Sequence, residues 1–124
     1  VKKLVETLKR EDRHEYKFHT RVMRPWGSAT TILENKFYRI RLLEIMPGKS
    51  MSLQRHQQRS EHWVVLQGNA DVQRGEEKLL LKENESAYIP IGMLHRLGNT
   101  EKNPLQIIEV QQGQYLGDDD IERL

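Results

Sequence analysis

The sequence predicts an all-β sandwich or barrel, and three observations predict it. Short β-rich runs follow one another from Ala29 to Gln111. Turn residues interrupt them roughly every eight to twelve residues. At least one run, Phe37 to Met46, partly alternates, with Tyr38, Ile40 and Leu42 on one side and Phe37, Arg39, Arg41 and Leu43 on the other. At 124 residues the chain has room for one core. Its formal net charge is only +2 and its cations are scattered, so composition makes no case for nucleic acid. The chain has no cysteine, which excludes disulfides, thiolate ligands and cysteine nucleophiles and suits a cytoplasmic location. Its apolar runs fall far short of the ~20 residues of a membrane span, and no signal peptide opens it.

Taken in order, residues 1–20 read as a helical lead or linker, because Leu4, Val5 and Leu8 form a narrow apolar stripe among Lys2, Lys3, Lys9, Arg10, Glu11 and Asp12. Arg24-Pro25-Trp26-Gly27 ends the lead, and Trp26 is a large anchor. Strands are then expected at Ala29 to Leu33, Phe37 to Met46, His62 to Gln67, Ala70 to Arg74, Lys78 to Lys82, Ser86 to Ile89, Leu94 to Leu97 and Leu105 to Gln111. Pro47-Gly48, Gly68-Asn69, Gly75-Glu76-Glu77, Glu83-Asn84-Glu85 and Gly98-Asn99 are the turns between them. Residues 117–124 read as an acidic tail in which Asp118-Asp119-Asp120 starts a solvated helix at Ile121.

The chemistry concentrates in two stretches. In the first, Gly48 precedes Gln54-x-His56, then Glu61 and Gly68. On a strand, Gln54 and His56 share a face, and a hairpin after them returns Glu61 opposite His56. In the second, Asn84 precedes Pro90-x-Gly92, then His95 and Asn99. Pro90 and Gly92 form a turn that presents His95. Together they offer one amide oxygen, two imidazoles and one carboxylate, a donor set for a divalent ion with positions left open. His14, His19 and His62 read as surface or structural histidines, and Trp26 and Trp63 as packing anchors.

These stretches resemble the paired motifs of the cupin superfamily, G-x5-H-x-H-x3,4-E-x6-G and G-x5-P-x-G-x2-H-x3-N, with every spacing kept. Gln54 stands where the first His is usual. Asn84 replaces a Gly and, like Gly, accepts a left-handed turn. Further stretches are similar to type II phosphomannose isomerases: Arg24 to Gly27, Arg59-Ser60-Glu61-His62-Trp63-Val64-Val65, Tyr88-Ile89-Pro90, His95-Arg96-Leu97, Ile108-Glu109-Val110-Gln111 and Tyr115 to Ile121. The resemblance runs from about Arg21 to the end. It departs at Gln57 and Gln58, where the family commonly has histidines.

The resemblance implies a cupin domain over residues 21–116, a double-stranded β-helix or jelly-roll barrel. It also implies a metal-dependent mannose-6-phosphate isomerase making fructose 6-phosphate, in GDP-mannose and polysaccharide biosynthesis. Gln54, His56, Glu61 and His95 would hold one divalent ion, zinc first, with cobalt, manganese, nickel or iron as alternatives. Arg59, inside the first motif, is the first choice for the phosphate, with Lys49 and Arg96, and also Arg24 and Arg41, as further cations. Glu109, sharing a face with Ile107 and Gln111, is the candidate base. The expected partner is a small sugar phosphate, and a homodimer is compatible with the fold. The family domain usually follows a guanylyltransferase domain. The start at Val1 is consistent with a piece of a longer protein, and guanylyltransferase activity is not expected of these residues. The competing class is a cupin that binds a sugar phosphate without turning it over.

Overall fold

The computed structural model describes residues 20–124. The expected helical lead falls on residues 1–20, of which all but Thr20 lie outside the described residues. The described part is all-β, with eleven strands: β1 (Arg21–Arg24), β2 (Gly27–Glu34), β3 (Tyr38–Ile45), β4 (Gln54–Arg55), β5 (Arg59–Gln67), β6 (Ala70–Arg74), β7 (Glu77–Leu81), β8 (Ser86–Ile89), β9 (His95–Gly98), β10 (Leu105–Gly113) and β11 (Glu122–Arg123). They form two antiparallel sheets, one in the order β1-β2-β3-β10-β5-β8 and the other β11-β4-β9-β6-β7. No described helix is long and apolar enough to cross a membrane.

The core lies between the sheets. One sheet contributes Leu43, Ile45, Trp63, Val65, Leu105 and Ile107, and the other Ala70, Val72, Leu81 and Leu97. Period-2 alternation sends Ile40 and Ile108 to the other face of the first sheet, where they pack with Ile32, Tyr38, Leu42 and Val110.

Three central strands carry a second pattern along their length. The inward residues of β3 are Arg39, Arg41, Leu43 and Ile45. Those of β5 are Arg59, Glu61, Trp63 and Val65, and those of β10 are Leu105, Ile107, Glu109 and Gln111. Each strand is polar at one end and apolar at the other. Antiparallel register brings the polar ends together: Glu109 pairs with Arg41 on one side and Trp63 on the other, and Gln111 with Arg39 and Glu61. The barrel is therefore oily at one end and ionic at the other.

Three sequence expectations are corrected. The segment before Pro25 is a strand, since β1 pairs with β2 from Arg21↔Thr30 to Arg24↔Gly27. The tail is not a helix start: β11 pairs with β4, Glu122 opposite Arg55 and Arg123 opposite Gln54. Nor do β4 and β5 form a hairpin, for they lie in different sheets. Residues 56–58 carry the chain across, so His56 and Glu61 meet through the barrel interior. Asn84 does adopt the left-handed conformation expected of it, at φ 71°.

At Gly113 the end of β10 passes so close to the start of β5 that a β-carbon would overlap the backbone of Gln58 and Arg59. Gly113→Ala should therefore destabilise the fold by about 1–3 kcal/mol, read from the urea midpoint at unchanged m-value.

Candidate metal centre

Three side chains converge at the ionic end. His56 follows β4, Glu61 lies on β5 and His95 opens β9. All three are buried, and one potential ligand atom from each lies within 4.8 Å of the others. The Nε2 of His56 is 3.3 Å from one Glu61 oxygen, and that of His95 is 3.7 Å from the other.

Hydrogen bonding fixes both tautomers. The Nδ1 of His56 lies 2.6 Å from the Asp120 carbonyl oxygen, and that of His95 lies 3.0 Å from the Met93 carbonyl oxygen. A carbonyl only accepts, so both protons sit on Nδ1 and both Nε2 lone pairs face inward. Burial lowers the pKa of both imidazoles, that of His56 to about 4, which keeps them neutral as metal ligation requires. The Nε2 of His95 is fully buried with no hydrogen-bond partner. An orphaned buried acceptor aimed at a carboxylate points to a cation. Burial and the neighbouring Glu109 anion push the Glu61 pKa up, against the pull of Arg59 and Arg41. A divalent ion would add to the single contacting counter-charge, Arg59, that this buried carboxylate has. Gln54 is buried on β4 directly opposite His95 and lines the neighbouring cavity. Two imidazoles and a carboxylate fit a divalent ion of borderline hardness.

A second layer of polar residues surrounds the cluster. Glu109, fully buried, accepts from Arg41 Nε at 2.8 Å, from Gln111 Nε2 at 2.8 Å and from Trp63 Nε1 at 3.3 Å, and Arg41 Nη2 lies 2.7 Å from it as an ion pair. Burial pushes its carboxyl up, but Arg41 and Arg59 outweigh that and hold it well below the usual range. Trp63 Nε1 also reaches Glu61 at 3.2 Å, so this core tryptophan orients the site as well as packing. Gln111 accepts from Arg39 Nε at 2.7 Å.

Arg59 links the cluster to solvent. Its Nε donates to Glu61 at 3.1 Å, its Nη2 lies 3.2 Å from His56 Nε2, and its Nη1 is 3.4 Å from the Leu116 carbonyl oxygen. Arg59 and Gln54 also line a cavity of about 460 Å³. Arg24, Arg41 and Arg123 line it too, with Trp26, Ser50, Ser52, Ile121 and a single acid, Asp118.

The structure thus brings together Gln54, His56, Arg59, Glu61, His95 and Glu109. It leaves out two predicted phosphate ligands. Arg96 is exposed, because alternation on β9 turns it away from the face that buries His95. Lys49 is exposed and does not line the cavity; its carbonyl accepts from the Asn99 amide at 2.9 Å. The sequence reading missed Asp118, Asp120 and Arg123. The signals for the two aspartates were the run of three acids, which reads equally well as a solvated tail, and the family resemblance of Tyr115 to Ile121, which assigns them no role.

A family model described as the C-terminal domain of mannose-6-phosphate isomerase matches residues 11–124. The chain belongs to this family. Over 123 residues it is 49% identical to the xanthan biosynthesis protein XanB of Xanthomonas campestris pv. campestris, covering 99% of this chain and 26% of that protein. Over 124 residues it is 48% identical to mannose-1-phosphate guanylyltransferase RfbM of Salmonella typhimurium, covering 100% and 26%. This isomerase-family domain therefore spans about a quarter of the length of these relatives. Among solved structures it superposes on a double-stranded β-helix protein from Klebsiella pneumoniae at a TM-score of 0.71 and 20% identity, covering 89% of this chain and 86% of that one. That likeness shows the cupin fold.

The buried Arg41–Glu109 pair yields a sharp expectation. Arg41→Met strands the Glu109 charge and should cost about 3–5 kcal/mol. Adding Glu109→Gln should recover much of the loss, and a double-mutant cycle of denaturant midpoints measures the coupling.

Proposed function

We propose that this domain isomerises mannose 6-phosphate to fructose 6-phosphate with one divalent ion held by Gln54, His56, Glu61 and His95. The observation that carries the reading is the cluster's connection, through Gln54 and Arg59, to an arginine-lined cavity. Family membership supports it. The donor set favours zinc, with cobalt, manganese, nickel and iron also suited.

Aldose–ketose isomerisation moves a proton between C2 and C1 of the open-chain sugar while negative charge develops on the adjacent oxygens. A divalent ion supplies polarisation of the carbonyl and compensation of that charge, worth several kcal/mol. Arg59 sits at the same end, since it already hydrogen-bonds Glu61. The phosphate lies at the far end of the carbon chain from C1 and C2. Arg24 and Arg123, exposed beside the cavity, are the side chains placed to receive it and so to align the sugar. Lys49 and Arg96 leave the set.

Glu109 takes a different part from the base expected of it. A carboxylate held by a guanidinium, an amide and an indole is a weak base, and it stands behind Glu61. Its part here is to hold Arg41 and Trp63 in place.

The metal-loaded protein should form fructose 6-phosphate from mannose 6-phosphate and exchange the C2 proton in deuterated water. His56→Ala and His95→Ala should each lose most bound metal and all turnover, measured by elemental analysis of folded protein. Binding of the sugar phosphate without product or exchange would establish the non-catalytic module instead. Glu109→Gln should lower stability more than exchange per folded molecule; lost exchange with metal retained would restore Glu109 as the base.

A further inference from the structure

We propose that residues 117–124 form a clasp that positions the metal centre, with Asp120 as the positioning residue for His56. The clasp holds the chain on both sides of that ligand. Before it, β11 pairs with β4, and the Leu124 amide donates to the Leu53 carbonyl at 3.0 Å. The Arg55 guanidinium meets both Glu122 oxygens at 2.9 Å. After it, the two Asp120 carboxylate oxygens accept from the consecutive amides of Gln57 and Gln58, at 3.0 and 2.9 Å. Those residues belong to the link that crosses between the sheets. A crossing link has no ladder of its own, and these two bonds from Asp120 take its place. On His56 itself, the Asp120 carbonyl accepts the Nδ1 proton at 2.6 Å.

The two histidines are held in unequal ways. His95 takes its Nδ1 partner from Met93, two residues away in its own turn. His56 takes its partner from a residue 64 positions later. The direction in which His56 Nε2 points thus depends on residues 117–124 staying seated. The same segment brings Asp118, Ile121 and Arg123 to the cavity wall, so one element sets a ligand and shapes the space beside it. Partners that fix the second nitrogen of a ligating imidazole typically carry 10–100-fold in metal affinity.

The second half of this inference rests on the metal reading, and the test separates the two. Ring nitrogen spectra of the 124-residue protein without metal report the tautomer of each histidine. Asp120→Ala leaves the carbonyl in the chain but removes the two bonds that seat it. In this variant His56 should become a mixture of tautomers while His95 stays an Nδ1–H species, and zinc affinity, by competition with a chromophoric chelator, should fall about 10-fold or more. Asp120→Asn keeps one acceptor oxygen but turns an NH2 donor toward the second amide, so it should recover only part of both signals. An unchanged His56 tautomer in Asp120→Ala overturns the clasp whether or not the protein binds zinc. If the tautomer shifts but the parent protein takes up no zinc, the metal reading fails and the clasp stands. Should Asp120→Ala fail to fold, hydrogen exchange of the parent protein decides. The Gln57 and Gln58 amides should be protected together with that of Leu124, and free exchange at all three in folded protein overturns the proposal.

Discussion

The ionic end of this barrel depends on the contact between Arg41 and Glu109. They sit opposite each other on β3 and β10, and one Glu109 oxygen accepts from Arg41 Nε with Nη2 2.7 Å away. Everything nearby is oriented by that fixed charge. Trp63 splits its N–H between Glu109 and Glu61, and Gln111 bridges Glu109, Glu61 and Arg39. Glu61 stands between the two imidazoles because its surroundings are already committed. A buried ion pair adds little net stability over a packed apolar pair, since desolvation offsets the attraction. What it adds here is direction: an acid and two neutral imidazoles are held in one arrangement, with an orphaned lone pair among them.

Much of this was legible in the sequence because it is written in spacing. Gln54, His56, Glu61 and His95 occur at fixed offsets between turn residues, and Asn84 takes the left-handed turn. Glu109 and Gln111 were placed on one face with Ile107, and all three are buried there. What was not legible was anything settled by contacts distant in the chain. Arg96 is the exception: it follows a ligand directly, and alternation along β9 already turns it away from the face of His95. Lys49 sits next to a motif glycine and still points to solvent. The hairpin expected after His56 was a reasonable local choice, overridden by pairing of β4 with β9 and β11 in the other sheet. Asp120 is invisible from local pattern because its partners lie more than sixty residues earlier.

The division of β3, β5 and β10 into an apolar half and an ionic half constrains how such a chain can change length. Core and site lie on the same strands, so losing or gaining one residue within them reverses every side chain beyond that point. Leu43 and Arg41 would turn outward together, and Ile40 and Leu42 would turn in. The irregularity in the β10–β5 pairing falls at Gln106/Ile107, ahead of the ionic half, where the extra residue disturbs neither Glu109 nor Gln111. Insertions and deletions that preserve the site are thereby confined to the connections between strands. Descendants of this sequence are free to vary in outline there while the spacing inside the strands stays counted to the residue.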